Sequence, residues 1–446
     1  MPGARQGNRR KDRDTFDSKP LQKTRQPARQ EKEKEKPERT PATKPTPQKE
    51  DTDSGPINLS TTIPIPLQQL LLDVFKQALL TSPAPQTDAV SDADAPANGE
   101  PVTLDTKTLI QTIKAHLYQR DFDSAFAEAG EELLRAYALR WSAARALGYA
   151  GIFKAVLRWM ESEKEGKSDS SHGSTRVVCI GGGGGAEIVA LAAAWRDLGG
   201  NGDDGVAALG EGVEGFSLDD KEKEKGDTEK TTSTSPRLTV EAVDIADWSI
   251  VADRLSKTIA SPDVPTQKSS RYQPPLLPNT QDKPGLEVSF TRKDVLGLPE
   301  PDLKDLILGP SPSTTPSMSP PPLLVTLMFT LNELFTTSMP KTTGLLLNIT
   351  ELLPRGAVLL VVDSPGSYST LKLGKAKDGG EAQERQYPMK FLLDHTLLSV
   401  AKGKWERVLT QDSRWWRREA SRLRYEVGEG AGLEDMRYQV HVYRRL

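Results

Sequence analysis

The 446-residue chain has a single cysteine, Cys179, and only four histidines, which lie far apart in the sequence. One cysteine excludes an intrachain disulfide framework and a cysteine-based metal site, and it agrees with a reducing compartment. The histidines form no pair with the spacing of metal ligands, so we expect no bound metal. One of them, His395, falls in a predicted helix, and we expect it to pack there.

Long hydrophobic runs are also missing. The longest apolar run, Leu323–Phe329, is far too short to span a bilayer. The N-terminus lacks the apolar centre of a signal peptide. We therefore expect a soluble intracellular protein.

Polar stretches occupy much of the chain. Residues 1–56 are almost wholly polar, and stretches near 199–236, 261–284 and 309–321 are rich in Pro, Gly, Ser, Thr or charged residues. Such segments bury too little apolar surface to offset the entropy lost on ordering them. We predict a disordered tail and three disordered inserts.

The tail is basic although the whole chain is nearly neutral. Residues 1–50 carry fifteen Lys/Arg and eight Asp/Glu, a surplus of seven positive charges. A surplus of this kind suits a phosphate backbone or a nuclear import receptor. A tail that only adds solubility explains the composition equally well.

Helical patterns come next. Apolar spacing predicts helices over Pro64–Leu80 and from Asp105 to about Tyr118, and a long helical stretch over Asp121–Arg158. We therefore predict an N-terminal helical module over residues 57–160, packed on the main domain.

From Arg176 onward, short apolar runs alternate with helical segments. The predicted strands are Arg176–Ile180, Leu238–Val243, Leu286–Phe290, Leu323–Phe329 and Ala357–Val362, and a final pair is Trp405–Leu409 and Tyr438–Tyr443. The alternation implies a parallel sheet with helices on both faces, and the final pair suits an antiparallel hairpin at the sheet edge. We predict a doubly wound α/β domain over residues 174–446 with a seven-stranded sheet.

Five consecutive glycines, Gly181–Gly185, separate the first strand from a helix. Backbone N–H groups at such a turn face a ligand, and the helix N-terminus favours an anionic group. Gly181, Gly183 and Ala186 fit the dinucleotide fingerprint, whereas Gly181, Gly183 and Gly185 fit the methyltransferase pattern. The loop predicts a nucleotide-type cofactor and leaves its identity open.

Polar residues follow two other strands. Asp244 ends the second strand, where a carboxylate can accept both ribose hydroxyls of a nucleoside. Asn332 and Glu333 follow the fourth strand, where an amide and a carboxylate could read the edge of a nucleobase and withdraw its proton. The simpler alternatives are helix capping by Asp244 or Asn332 and a first-turn charge at Glu333.

The segment 401–424 combines basic and aromatic residues. It has eight Lys/Arg against three Asp/Glu, interleaved with Trp405, Trp415 and Trp416. Basic residues among aromatic rings can hold phosphates while bases stack on the rings. We take Trp415 and Arg417 as candidate RNA contacts, with packing of the tryptophans under the hairpin as the alternative.

Four segments resemble the fungal 25S rRNA (uridine-N3) methyltransferase family. They are Asp121–Phe126 leading to Ala136–Leu147, then Ile180–Gly183, Phe329–Leu334 and Val362–Tyr368, and Tyr387-Pro388 with Phe391–Asp394 extends the match. The resemblance implies a class I (Rossmann-like) methyltransferase fold, S-adenosylmethionine as cofactor, a uridine of large-subunit rRNA as substrate and a nucleolar location. One departure is Cys179, because methyltransferases often carry an acidic residue two positions before the first glycine.

The resemblance also implies roles for single residues. Asp294 is expected to accept the adenine amino group and Val295 to pack on the ring, with a solvated turn as the alternative for Asp294. Phe329 is expected to contact the cofactor. Arg140 and Arg145 are expected either to contact RNA phosphates or to form structural ion pairs. We expect a monomer that acts on rRNA or a pre-ribosomal particle.

Three other functions remain open at this point. A protein methyltransferase would share the whole cofactor site. A nicotinamide-dependent oxidoreductase would share the glycine loop, although it requires neither Asp294 nor the Asn332-Glu333 pair. A catalytically inactive RNA-binding assembly factor would retain the fold alone.

Overall fold

The computed structural model describes residues 55–82, 102–119, 121–163, 174–199, 237–279, 285–309, 321–373 and 383–446. The predicted disordered tail and the predicted inserts near 199–236 and 309–321 lie almost wholly outside these residues. The described residues, all within 52–446, form one compact unit.

Helices dominate the first part of the described chain, between residues 65 and 162. The elements are α1 (Ile65–Leu79), β1 (Thr81–Ser82), β2 (Val102–Thr103), α2 (Thr106–Gln119), α3 (Glu131–Tyr137) and α4 (Ala143–Ser162), with π-helical turns at Asp123–Ala127 and Ala138–Ser142. The prediction of one long helical stretch over 121–158 is therefore wrong, because the stretch is divided into several elements. Gly130 adopts an extended backbone and separates the first π-helical turn from α3.

Nine further strands follow in the described chain. They are β3 (Thr175–Ile180), β4 (Leu238–Asp244), β5 (Leu286–Arg292), β6 (Leu323–Met328), β7 (Val358–Asp363), β8 (Tyr368–Leu373), β9 (Gln383–Pro388), β10 (Trp405–Trp416) and β11 (Met436–Arg445). Seven form one sheet in the order β10-β11-β7-β6-β3-β4-β5. Strands β3, β4, β5, β6 and β7 pair with one another in parallel, whereas β11 pairs antiparallel with both β7 and β10. The prediction of a class I methyltransferase sheet with a C-terminal antiparallel hairpin is confirmed.

The central strands are apolar because both faces of the sheet are covered. Every residue of β6 and β7 is buried. The covering helices are α5 (Ala186–Gly199), α6 (Ser249–Ile259), α7 (Glu300–Leu308), α8 (Leu331–Thr337), α9 (Met339–Leu352) and α10 (Met389–Asp394), the last continuing as a π-helical segment, His395–Val400.

The helical module and one face of the sheet share a single hydrophobic core. Phe75 of α1 and Leu147 of α4 belong to the same buried cluster as Ile188 of α5 and Leu324 of β6. The opposite face has a separate cluster with helices α7 to α10. The module is therefore one layer of the same compact unit.

The prediction of a disordered insert at 261–284 is wrong for the part that the structure describes, residues 261–279. Val264 and Leu276 are buried there, and the Arg196 guanidinium donates a hydrogen bond to the Pro275 carbonyl at 2.8 Å. A few apolar residues among the prolines anchor an irregular segment against α5, which composition alone concealed. The β8–β9 hairpin and α7 were also absent from the prediction.

Within the described ranges, no helix has the length and apolar character needed to cross a membrane. The same residues contain no group of three or more His, Cys, Asp or Glu side chains placed to hold a metal ion.

Candidate active site

The glycine loop lies at the carboxyl edge of the sheet, between β3 and α5. Gly181 and Gly185 both have a φ of 79°, a left-handed conformation that side chains with a Cβ rarely adopt. A Cβ on Gly183 would overlap the Trp248 ring, and a Cβ on Gly181 would overlap the Thr330 side chain. The loop therefore depends on glycine for its backbone conformation and for close packing.

Asp244, at the end of β4, holds this loop. Its Oδ2 accepts a hydrogen bond from the Gly183 N–H at 3.2 Å, and its Oδ1 accepts one from the Ala246 N–H at 3.1 Å. Burial raises the pKa of Asp244, although the same hydrogen bonds oppose the rise. The start of α6 is served by Asp247 instead, whose Oδ1 accepts the Ser249 N–H at 3.2 Å. Asp244 is thus placed beside the glycine loop and not at a helix cap.

Asp294 and Val295 follow the neighbouring strand. The Lys293 N–H donates to the Asp244 carbonyl at 2.9 Å, so the two strand ends adjoin. Asp294 is exposed and accepts the Leu296 N–H at 2.9 Å, whereas Val295 is buried in the core. Ile245, which the sequence analysis did not select, is 56% exposed directly after Asp244. An exposed apolar side chain at this strand end is suited to packing against a planar ring.

An aromatic cluster from the helical module and α6 covers the loop. The Tyr137 ring lies 5.1 Å from Phe126, 5.0 Å from Trp141 and 5.6 Å from Trp248 between ring centroids. Tyr137 and Ser142 approach Gly184 so closely that a Cβ there would lie 2.9 Å from the Ser142 hydroxyl. The N-terminal module therefore forms a wall of the candidate site.

Arg145, at the start of α4, lies inside this site. Its Nη1 donates a hydrogen bond to the Tyr137 hydroxyl at 3.0 Å, and its guanidinium carbon lies 5.1 Å from the centroid of the Phe329 ring. The Tyr149 ring also stacks on the Phe329 ring, with 6.3 Å between the ring centroids. Phe329 has a φ of 60°, a strained conformation for a residue with a Cβ, and such strain is common at functional sites.

Glu333 lies in the first turn of α8, at the end of β6. Solvent reaches the side chain, but the pKa of the carboxyl is raised to about 7. Desolvation by the surrounding protein is the largest cause, the Arg145 charge opposes it, and the Asp363 and Asp244 charges add to the rise. A carboxyl group with a pKa near neutral can accept and release a proton under physiological conditions.

Asn332 is held by Asp363, the last residue of β7. The Asp363 carboxylate accepts the Asn332 N–H at 3.0 Å and the Ser364 N–H at 2.8 Å. The N-cap position of α8 belongs to Thr330, so Asn332 is not the cap. Its side-chain Oδ1 is buried and has no hydrogen-bond partner among the residues that the structure describes. Burying such an acceptor costs free energy unless a ligand donates a hydrogen bond to it.

Glu187 is a further acidic group of this region that the sequence analysis did not select. It lies in the first turn of α5, is buried, and accepts a hydrogen bond from the Thr326 hydroxyl. Burial raises its pKa to about 7, and the Cys179 thiol is a second hydrogen-bond partner. A carboxyl group thus lies beside Cys179, under the glycine loop. An acidic residue two positions after the last glycine was the available signal.

The predicted RNA-contact residues differ in their environments. Arg140 is buried and forms an ion pair with Glu434, which fits the structural alternative for this residue. Trp415 is 50% exposed, and the guanidinium carbons of Arg417 and Arg437 lie 5.0 and 5.7 Å from its ring centroid.

The other two tryptophans of the segment are less accessible. Trp405 is buried and donates a hydrogen bond to the Thr350 hydroxyl at 2.9 Å. Trp416 is partly buried and packs near Gly148 of α4. Packing under the hairpin therefore applies to these two rings and not to Trp415.

These residues fit S-adenosylmethionine, the cofactor that the resemblance implies. The glycine loop at the start of α5 can receive the methionine carboxylate, and Asp244 can accept the ribose hydroxyls. Ile245 and Asp294 are placed at adjoining strand ends, where an adenine ring needs an apolar surface and an acceptor. The buried Oδ1 of Asn332 leaves an unfilled hydrogen-bonding position at the same edge of the sheet.

Comparison with known proteins agrees with this geometry. A family model described as "Putative SAM-dependent methyltransferase" matches residues 91–444. The 25S rRNA (uridine(2843)-N(3))-methyltransferase of Saccharomyces cerevisiae is 30% identical over 400 residues, covering 87% of this chain and 87% of the yeast protein.

Solved structures show more distant likenesses. A SAM-dependent methyltransferase from Methanosarcina mazei has a TM-score of 0.27 at 13% identity, over 61% of this chain and 93% of that one. The N-methyltransferase NodS from Bradyrhizobium japonicum has a TM-score of 0.23 at 11% identity, over 64% and 87%. Both likenesses are too weak to support a functional conclusion. The match over residues 91–444 and the yeast relative are sufficient: the chain belongs to this family of S-adenosylmethionine-dependent methyltransferases.

Proposed function

We propose that this protein transfers the methyl group of S-adenosylmethionine to N3 of a uridine in large-subunit rRNA. The observation that carries the proposal is the pair formed by Glu333 and Asn332 at the end of β6. A carboxyl group with a pKa of about 7 there adjoins a buried amide oxygen without a partner among the described residues. The name of the yeast relative supports the choice of uridine N3 and of 25S rRNA.

The chemistry of uridine N3 explains why these groups are useful. N3 lies on the pairing edge of the base, so the target must be unpaired or turned out of its helix. It also carries a weakly acidic proton, which must leave for nitrogen to act as the nucleophile. Bound S-adenosylmethionine supplies a reactive methyl group on a sulfonium sulfur. The protein contributes alignment, removal of the proton and stabilisation of the charge that develops.

We assign the proton transfer to Glu333 and the reading of the base to Asn332. Because the pKa of Glu333 is about 7, its carboxyl exchanges protons near neutral pH and can accept the N3 proton. The Asn332 amide offers donors and an acceptor to the pairing edge of uracil. Arg145 lies near Glu333 and Phe329, so we place it at the target base and not on an RNA phosphate.

Trp415, Arg417 and Arg437 are the proposed RNA contacts outside the reaction centre. Trp415 pairs in register with Arg437, and Gln439 of the same strand pairs with Asp363. Trp415 of β10 therefore lies level with the chain just beyond the end of β7, at the edge of the sheet that carries the candidate site. Its exposed ring can stack on a base while the two guanidinium groups meet phosphates.

We further propose that the protein acts in the nucleolus, as a monomer, on rRNA or a pre-ribosomal particle. The surplus of positive charge in residues 1–50 supports nuclear import or RNA attraction by this segment. Large-subunit rRNA is made and modified in the nucleolus, so the proposed substrate implies that location.

The test is methyl transfer in vitro with the full-length protein. Large-subunit rRNA from cells that lack the protein is incubated with methyl-labelled S-adenosylmethionine, and the product is digested to nucleosides. We expect the label in N3-methyluridine, and we expect ribonuclease treatment before the reaction to abolish incorporation. Label that stays in protein after ribonuclease treatment would overturn the proposal in favour of a protein methyltransferase.

A further inference from the structure

Three aromatic rings form a ladder that runs from the end of β9 along α10 into the π-helical segment that follows it. The first ring, Tyr387, is partly buried, and the other two are exposed. The ring centroids of Tyr387 and Phe391 are 5.6 Å apart with an interplanar angle of 21°, and those of Phe391 and His395 are 6.1 Å apart at 5°. Phe391 is 51% exposed, and His395 is exposed as well. The expectation that His395 packs inside a helix is therefore wrong, because the four-residue spacing brings it onto the outer face with Phe391.

The ladder begins next to the candidate active site. The Met389 N–H, at the start of α10, donates to the Ser367 carbonyl at 2.9 Å. The Ser367 hydroxyl in turn donates to the Asp363 carboxylate at 3.3 Å, and Asp363 also holds Asn332. Tyr387 thus lies close to the edge of the sheet where the target base is expected, and the ladder leads away from it.

Two ion pairs fix the ladder against the edge strand of the sheet. Lys390 contacts Asp412 at 2.7 Å, and Arg407 contacts Asp394 at 3.1 Å. These carboxylates are neutralised by their partners, so neither acts as an unpaired charge that would repel a phosphate. Exposed Lys402 adds a positive charge beyond the far end of the ladder.

A recess of about 190 Å³ opens beside the last two rings. It is lined by Phe391, Asp394, His395, Leu398, Ser399 and Arg407. The lining combines two aromatic rings with a guanidinium, a carboxylate and a hydroxyl group. This mixture suits a planar polar ring better than the aliphatic side chains of a protein partner.

We propose that the ladder Tyr387–Phe391–His395 binds single-stranded RNA that flanks the target uridine, with one unpaired base in the recess. Bases stack on aromatic rings in a manner that tolerates different sequences, and the positive charge of Lys402 attracts the backbone. The target base must leave its helix to react, so unpaired flanking nucleotides are expected beside it. This inference rests on the proposed RNA substrate.

The test measures binding of a fluorescein-labelled oligouridylate to the full-length protein by fluorescence anisotropy. The oligonucleotide is used single-stranded and as a duplex with oligoadenylate. Phe391→Ala and His395→Ala are compared with Leu308→Ala, which removes an exposed apolar side chain outside the ladder. We expect the two ladder variants to bind the single strand between about 5-fold and about 100-fold more weakly, because each loses a stacked base. The Leu308→Ala variant and the duplex affinity should change little.

Further measurements separate stacking from damage to the fold. S-adenosylhomocysteine should stabilise every variant against heat as it does the wild type. Phe391→Leu keeps an apolar side chain but not a flat face, so it should lose most of the single-strand affinity. Single-strand affinity that is unchanged in Phe391→Ala and His395→Ala would overturn the inference and leave a protein partner as the use of this surface. Binding is measured without methyl transfer. A failure of the ladder inference is therefore distinguishable from a failure of the proposed function, in which the wild type would bind RNA but not methylate it.

Discussion

The Arg145 guanidinium lies near the Glu333 carboxyl, lowering its pKa, while desolvation by the protein raises the same pKa. Together with smaller upward contributions from the Asp363 and Asp244 charges, these effects leave the pKa of Glu333 at about 7. Arg145 comes from the helical module and Glu333 from the end of β6, so both parts of the chain contribute to the proposed reaction centre. A base poised near neutral pH is what removal of a weakly acidic proton requires.

Replacement of the proposed base tests its role. Glu333→Gln should lower kcat by about 100-fold to about 10,000-fold, because general-base assistance is lost while the shape of the side chain is kept. Binding of S-adenosylhomocysteine, measured by calorimetry, should stay within about twofold of the wild type. Full turnover by this variant would exclude Glu333 as the proton acceptor.

The pH dependence of kcat follows from the same pKa. The base works in its deprotonated form, so kcat should rise about tenfold per pH unit below pH 7 and level off above it. Arg145→Met removes a charge that lowers the pKa of Glu333, so the rising limb should move to higher pH. Tyr137→Phe removes the hydrogen bond to Arg145 but keeps the charge, and its limb should remain near that of the wild type. An Arg145→Met profile that coincides with the wild-type profile would contradict the assigned coupling.

Asp244 should matter for the cofactor more than any other strand-end carboxylate. Asp244→Asn should weaken binding of S-adenosylhomocysteine by about 10-fold to about 100-fold, because charge-assisted hydrogen bonds to the ligand and to the glycine loop are lost. Asp247→Asn is the matched control, since Asp247 is exposed and serves the start of α6. Equal affinities of the two variants, measured by calorimetry, would remove Asp244 from the cofactor site.

The buried Glu187 carboxyl predicts a change of stability with pH. Its pKa is about 7 in the folded protein against 4.5 for an unperturbed glutamate, so the folded state binds the extra proton between these values. The contribution is complete below about pH 4.5 and is lost as pH rises through 7. The free energy of unfolding of Glu187→Gln minus that of the wild type should therefore be larger at pH 8 than at pH 5 by about 1–3 kcal/mol. Denaturant unfolding at both values measures this difference, and an identical difference at the two values would show that Glu187 does not titrate as described.

RNA affinity tests the surface around Trp415. Trp415→Ala should raise the KM for RNA between about 5-fold and about 100-fold without a change in the affinity for S-adenosylhomocysteine. Arg417→Ala should reduce the slope of log affinity against log salt concentration by about one, because one phosphate contact is lost. An unchanged KM in Trp415→Ala would leave the exposed ring without a role in RNA binding.

The sequence predicted the elements whose signals are local. The apolar runs of β3, β6 and β7 and the Gly181–Gly185 loop are continuous in the chain, so their positions and the doubly wound parallel sheet followed from pattern. Asp244 and Glu333 were selected because strand ends can be located once the strands are known. Prediction failed where the role of a residue depends on contacts with residues far away in the sequence.

Arg145 and Arg140 illustrate that limit. Both stand on the same helical segment with similar neighbours, yet Arg145 lies in the site while Arg140 is buried against Glu434, 294 residues away. No local pattern distinguishes two such arginines. Ile245 and Glu187 were missed for a related reason, since an ordinary apolar residue and a first-turn acid become informative only when their exposure and partners are known.

N3-methyluridine in large-subunit rRNA is the measurement that tests the central claim most directly. Nucleosides from this RNA are quantified by mass spectrometry in cells with the wild-type protein, without it, and with Glu333→Gln at equal abundance. We predict that the modified nucleoside falls by one site per ribosome in the cells without the protein and in those with Glu333→Gln. An unchanged amount in cells that lack the protein would contradict the account.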